Sequence, residues 1–327
     1  MYYLESKVVT VLVATILFCR ISEAQTLERI RIGSTTPSIT SLPTEIAVRK
    51  GFFRQEGLDP EIILIRGADI TIKALLTRHI DYATPLPSLV AAAMRGLPVK
   101  LIGIIVKKTS FVLVSNPSIR SIPELKGKTV GVGNLGAAAD FVLRAALRSG
   151  GLDPNHDVKI LSLGGSRERF ASLQAGVIAA TVLVAPYNLQ AEKLGFRSLL
   201  WLGKLMDLPQ GGLGAHEEKL TKNPDEVVRV MKAASRGIRF IKSNKEATVD
   251  FMMQWQNLDR PVAEVLYPML IESLADYGIT DDAAVRNALA MGKHQTRIDK
   301  DIPLDQIRDW TFARRARDEI MRSSASK

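Results

Sequence analysis

The chain has 327 residues, 46% of them hydrophobic and 24% charged, a balance that suits two medium-sized domains and excludes a disordered chain. The net charge of +10 is spread along the sequence, and its densest group, Arg314, Arg315 and Arg317, sits beside Asp318 and Glu319, so it reads as a solvated helix face and no nucleic-acid partner is expected. The single cysteine, Cys19, lies near the N-terminus.

Lys7 precedes the apolar run Val8 to Phe18, and Ser22-Glu23-Ala24 supplies the small residues a signal peptidase reads. Residues 1–24 are therefore expected to be a cleavable signal peptide, the run being shorter than the roughly 20 residues of a spanning helix. Phe18 stands where a lipoprotein signal wants a small residue before cysteine. The mature chain would then hold no cysteine, which excludes disulfides, thiolate metal sites and cysteine nucleophiles.

The next feature is a duplication. Gly57-Leu58-Asp59-Pro60 recurs as Gly151-Leu152-Asp153-Pro154, 94 positions later. Before the first copy the pattern gives a strand (Ile30 to Gly33), a polar loop (Ser34 to Ser41) and a helix (Leu42 to Lys50) closed by Gly51. Before the second it gives a strand (Thr129 to Val132), a glycine loop (Gly133 to Gly136) and an amphipathic helix ending at Gly150. After each copy follow a strand (Glu61 to Ile65; Val158 to Leu163), a glycine loop, a helix (Thr71 to Thr77; Glu168 to Ala175) and a strand running to a proline (Asp81 to Pro85; Ala180 to Pro186).

Two copies of strand, helix, strand, helix, strand imply an α/β protein of two lobes built on parallel sheets. Val99 to Val114 reads as the crossing between lobes, and Leu208 to Gly214 as a second one, so the lobes are joined by a hinge. The expected division is 25–110 for the first part of lobe one, 111–208 for lobe two, and 209–327 for a helical tail that packs on lobe one. Within that tail Asn223-Pro224, the Ser243/Glu246 capping box, Asp259 before Pro261 and Thr280 before Asp281 mark helix starts.

Parallel sheets bind ligands beyond the carboxyl ends of their strands. The expected cleft is lined by Thr40, Ser41 and Leu42, by Thr84, Pro85 and Ser88, by Asn134, Gly136 and Ala137, and by Ser166 and Pro186. Asn134 and Ala137 are expected to face Ser41 and Leu42 across it. Arg167 could hold a carboxylate or sulfonate bidentately, and Tyr82 could stack on an aromatic ligand or belong to the core.

Gly131, Gly133 and Gly136 also spell G-x-G-x-x-G, the dinucleotide fingerprint. Gly131 reads as lying inside the strand, however, and the following strand ends in Leu163-Gly164-Gly165 where an acid should bind ribose. An enzyme holding a phosphate or nucleotide on this loop is the alternative reading. His79, His156, His216 and His294 show no metal-ligand spacing, Ser166 has no nucleophile-elbow setting, and neither a metal nor a cofactor is expected.

Leu42-Pro43-Thr44-Glu45-Ile46-Ala47-Val48-Arg49-Lys50-Gly51-Phe52-Phe53, with Glu56-Gly57-Leu58-Asp59, His79-Ile80-Asp81-Tyr82-Ala83 and Glu124-Leu125-Lys126-Gly127-Lys128, resembles the solute-binding proteins of ABC importers in the NMT1/THI5-like group. The resemblance implies a type II periplasmic-binding fold: two lobes close about a hinge on a small-molecule ligand and present it to an ABC permease in the inner membrane. It also implies a periplasmic protein, expected as a monomer, that is not an enzyme. Gly176 is followed by Val177-Ile178-Ala179 where relatives carry an acid, and Thr84-Pro85-Leu86-Pro87-Ser88 lacks their paired serines, so no relative's ligand carries over.

Overall fold

A computed structural model describes residues 26–35 and 38–325; the expected signal peptide lies outside the described residues. The chain begins with β1 (Glu28–Ser34), α1 (Leu42–Arg49), the single turn α2 (Phe52–Gln55), β2 (Leu58–Leu64), α3 (Ala68–Leu76), β3 (Tyr82–Pro85), α4 (Leu86–Met94) and β4 (Val99–Val106). It continues through β5 (Val112–Ser115), β6 (Thr129–Val132), α5 (Ala138–Ser149), β7 (Lys159–Ser162), α6 (Ser166–Gln174), β8 (Ala180–Leu183), α7 (Tyr187–Lys193) and β9 (Arg197–Trp201). Then come β10 (Gly211–His216) and the helices α8 (Glu217–Lys222), α9 (Pro224–Ser243), α10 (Lys245–Gln256), α11 (Arg260–Ser273), α12 (Asp282–Thr296), α13 (Leu304–Ile307) and α14 (Thr311–Ala325).

These strands form two five-stranded sheets of the same plan, ordered β2-β1-β3-β10-β4 and β7-β6-β8-β5-β9. In each, the first three strands are parallel and the last two pair antiparallel. The fourth strand, β10 or β5, is the one on which the chain arrives from the other sheet. The molecule is therefore bilobal, with helices covering both sheets.

The duplication is closer in space than in sequence. α3 and α6 start 98 positions apart, at Ala68 and Ser166, and have the same length; β3 and β8 keep that spacing, from Tyr82 to Ala180. The tetrapeptides are offset by only 94 because Asn155 to Val158 is an extra turn before β7. Both helices begin earlier than the sequence suggests: Thr71 N–H donates to Gly67 O and Arg169 N–H to Gly165 O, which makes the preceding loop residues the first turn.

Lys107 and Lys108 of one crossing both lie 3.7 Å from the Asp207 carboxylate of the other. Asn287 Nδ2 donates to Asp207 O at 2.8 Å, and Trp201 Nε1 to Thr109 O at 2.7 Å. The two connections run side by side.

The first lobe's core gathers Ile30, Ile32, Leu42, Ile46 and Tyr82 with the apolar face of α9, so Tyr82 is a core residue. The tail departs from expectation in one respect: Met291 of α12 joins the core of the second lobe with Val142, Leu143 and Val130. α12 thus spans the two lobes. The Ser243/Glu246 capping box does not form, because α9 continues through Ser243 and Asn244 takes the turn, its Nδ2 donating to Phe240 O at 2.9 Å. Asp281 does cap α12, accepting the Ala284 N–H at 3.0 Å.

Candidate functional site

A cavity of about 290 Å³ lies between the lobes. Ser38 and Ile39 come from the β1–α1 loop, Ser110 from the crossing, Val184, Ala185 and Pro186 from the β8–α7 loop, and Gln256, Leu258 and Leu266 from the tail. The β1–α1 loop is held close to β10: a Cβ on Gly211 would stand 2.4 Å from Thr40 O, an approach only glycine permits. The Ser38 and Thr40 hydroxyls pair at 2.8 Å. Most of the lining is apolar, and one polar atom is left over: Gln256 Nε2 is buried without a hydrogen-bond partner. An unmet buried donor costs about 1–3 kcal/mol. Gln256, Ser38, Ile39 and Ser110 were not singled out by the sequence, because the helix boundary that aims Gln256 inward depends on tertiary packing.

The expected first-lobe residues divide among separate places. Ser41 and Thr84 line a second cavity of about 180 Å³ with Ser34, Thr44, Arg49 and Trp255. Their hydroxyls are engaged locally, Ser41 Oγ with Ser38 O at 3.2 Å and Thr84 Oγ1 with Gly33 O at 3.3 Å. Leu42 is fully buried in the core, so its side chain faces no ligand. Pro85 precedes α4 at the N-cap. Ser88 opens onto a groove beside Asp69, Lys73 and Thr296.

On the second lobe, Asn134 is exposed, and Gly136 and Ala137 are half-buried. The Gly136 N–H is already used, donating to Asp140 Oδ2 at 2.9 Å, and the Ala137 N–H donates to Asn134 O at 3.2 Å. The dinucleotide reading is corrected here. Gly131 lies within β6, where a Cβ would stand 2.7 Å from Ile178 Cδ1 and 3.1 Å from Leu163 Cδ1. It is a packing glycine, and the fingerprint's first turn does not exist.

Ser166 is half-buried at the start of α6, and Arg167 beside it is exposed. Two residues on, Arg169 is only 5% exposed. Its Nε donates to Val182 O at 2.9 Å, its Nη2 to Ser166 Oγ at 2.9 Å, and its Nη1 to Gly164 O. Burial holds its guanidinium below the usual arginine value. The sequence did carry a signal for it: in the helix Arg169 falls on the same face as Leu173, which is buried, whereas Arg167 falls outside.

Far from the cleft, the Tyr82 hydroxyl donates to Glu226 Oε1 at 2.7 Å and Lys219 Nζ lies 2.6 Å from Glu226 Oε2. Burial raises the Glu226 carboxyl above its usual range and the Tyr82 hydroxyl well above its own. Among the described residues no group of three His, Cys, Asp or Glu side chains is placed to hold a metal, and no helix is long and apolar enough to cross a membrane.

Two lobes of identical plan, joined by paired crossings around a mostly apolar cavity, define a bilobal solute-binding protein. Residues 39–248 match the NMT1/THI5 like family model, and the chain belongs to that family. It is similar to the riboflavin-binding protein RibY of Chloroflexus aurantiacus, 24% identical over 272 residues, covering 78% of this chain and 76% of the relative. A putative aliphatic sulfonates-binding protein of Bacillus subtilis is 27% identical over 304 residues, covering 90% of this chain and 89% of the relative.

Among solved structures, the sulfonate-binding protein SsuA of Methylobacillus flagellatus KT shares the fold with a TM-score of 0.75 at 16% identity, covering 90% of this chain and 96% of that one. The desulfurization enzyme DSZB shares it too, with a TM-score of 0.66 at 14% identity, covering 90% and 99%. The solute-binding reading of the sequence holds over the enzyme alternative, since the curated relatives are named as binding proteins and the glycine loop does not have the nucleotide-binding form.

Proposed function

We propose that the protein is the periplasmic receptor of an ABC importer, capturing a small organic solute between 25–110 with 209–327 on one side and 111–208 on the other. The observation that carries this reading is the interlobe cavity, whose walls come from both lobes and whose buried Gln256 amide lacks an acceptor. Capture by closure about the paired crossings follows, and the loaded form is what a permease in the inner membrane recognises. The protein works as a monomer, binds without converting its ligand, and reaches the periplasm through cleavage after Ala24. The solute is an organic molecule with an acidic group; the apolar lining favours a carbon body over a bare inorganic ion, and the net charge of +10 favours an anion.

A thermal-shift panel of organic carboxylates, sulfonates, inorganic oxyanions, pyrimidines and neutral analogues tests it. One class raises the melting temperature if the reading holds. Stabilisation by none of them contradicts it.

A further inference from the structure

The two copies of the repeat differ in charge at a buried position of helices α3 and α6. Thr71 in α3 and Arg169 in α6 are 98 positions apart, the same spacing that relates the two helices, and both are buried. Thr71 satisfies itself by donating to Gly67 O at 3.1 Å. The fold is thus content with a small neutral residue at this place, and the second lobe has put a guanidinium there.

That guanidinium sits at the carboxyl ends of the second sheet's strands. A Cβ on Gly133 would stand 2.9 Å from its Nη1, so the glycine loop after β6 is what admits it. Its three hydrogen-bond partners, Val182 O, Gly164 O and Ser166 Oγ, are uncharged, and no ion pair reaches it among the described residues. Buried charges are ordinarily paired, and an arginine carries five N–H donors. Here two of them lack a partner among the described residues, and the nearby charge that acts on the guanidinium, that of exposed Glu168, forms no ion pair with it. Because Ser166 Oγ accepts from Arg169, the serine's own O–H is left to donate outward.

Resting on the solute-binding reading above, we propose that Arg169 reads the charge of the solute: its guanidinium and the Ser166 hydroxyl hold the acidic group of an organic anion whose apolar body lies along Val184 to Pro186. The Val182 carbonyl that Arg169 grips leads within two residues into that cavity wall. The anionic end therefore belongs to the second lobe, and the first lobe closes over the body.

Titration calorimetry of the mature protein with hexanesulfonate, hexanoate, neutral hexanamide and inorganic sulfate tests the assignment. A charge-assisted contact of this kind should make at least one organic anion bind about tenfold or more tightly than hexanamide. Arg169→Met should remove that preference while hexanamide still binds, and Arg169→Lys, which keeps the charge, should restore part of it. Ser166→Ala, at a half-buried site outside the core, supplies the same test should Arg169→Met fail to fold; it should weaken the anions and spare hexanamide.

An anion preference unchanged in Ser166→Ala and in a folded Arg169→Met overturns the proposal. So does tighter binding of hexanamide than of either anion by the wild type, a result under which the solute-binding reading survives. Binding of none of the four overturns it as well and leaves that reading to its own wider panel.

Discussion

Asp140 of α5 and His294 of α12 meet at 3.4 Å, joining the second lobe to a tail helix that also packs on the first. The Asp140 carboxylate, 1% exposed, accepts the Gly136 N–H at 2.9 Å and Arg144 Nε at 2.8 Å as well. The His294 ring lies 6.0 Å from that of Phe141. The loop that the sequence offered as a ligand clamp is in this way fastened by its own helix and braced by the tail.

Asp140→Ala leaves the Gly136 N–H without its acceptor and Arg144 without its carboxylate, with only Asn155 Oδ1 remaining at 2.8 Å, and should cost about 3 kcal/mol, read as a lower urea midpoint. His294→Ala removes only a longer contact from a side chain 37% exposed and should cost less than about 1 kcal/mol. The radius of gyration in small-angle scattering should change little, because Met291 still holds α12 in the second lobe's core.

Gly237 shows which of two opposing effects wins. It lies inside α9, where alanine is preferred over glycine by about 1 kcal/mol. A Cβ there would stand 2.4 Å from Pro43 O and 3.0 Å from Ala47 Cβ, and a backbone carbonyl cannot rotate away. Overpacking costs about 1–3 kcal/mol. Gly237→Ala should therefore destabilise on balance, with a lower melting temperature despite the better helix former.

Gln256→Leu should separate stability from binding. Removing a buried donor without a partner should stabilise the ligand-free protein by about 1 kcal/mol while weakening solute capture. Denaturant midpoints and calorimetry on the same variant check both signs.

His156 and His216 should titrate in a fixed order. The hydrogen bond that the His156 ring donates to the Asp153 carboxylate, at 2.7 Å, raises His156 above the ordinary histidine value, and burial lowers His216. On acidification, proton NMR should show His156 protonating before His216, and Asp153→Asn should bring His156 down alone. The His156 pair contributes its full stabilisation below the ordinary histidine pKa and loses it as the pH rises through the raised one.

Much of the fold was legible in the sequence. The duplicated Gly-Leu-Asp-Pro, the strand and helix periods around it and the two crossings correspond to two sheets of one plan. The site was legible only in outline. Pro186 lies in the interlobe cavity, whereas Leu42 is core, Ser41 and Thr84 line another cavity, and the acid-binding candidate Arg167 is exposed. Local pattern names the loops at strand ends. Which side chains come together at the strand ends depends on close approaches, such as Gly133 to Arg169 and Gly211 to Thr40, that join residues distant in sequence.

The most direct measurement is a crystal structure of the protein with the solute that stabilises it in the thermal panel. The account predicts one molecule between Ser38 and Ile39 on one side and Val184 to Pro186 on the other, with the lobes closed about the Lys107/Asp207 crossings and the acidic group toward Ser166. A solute bound wholly within one lobe, or outside the cleft, would contradict it.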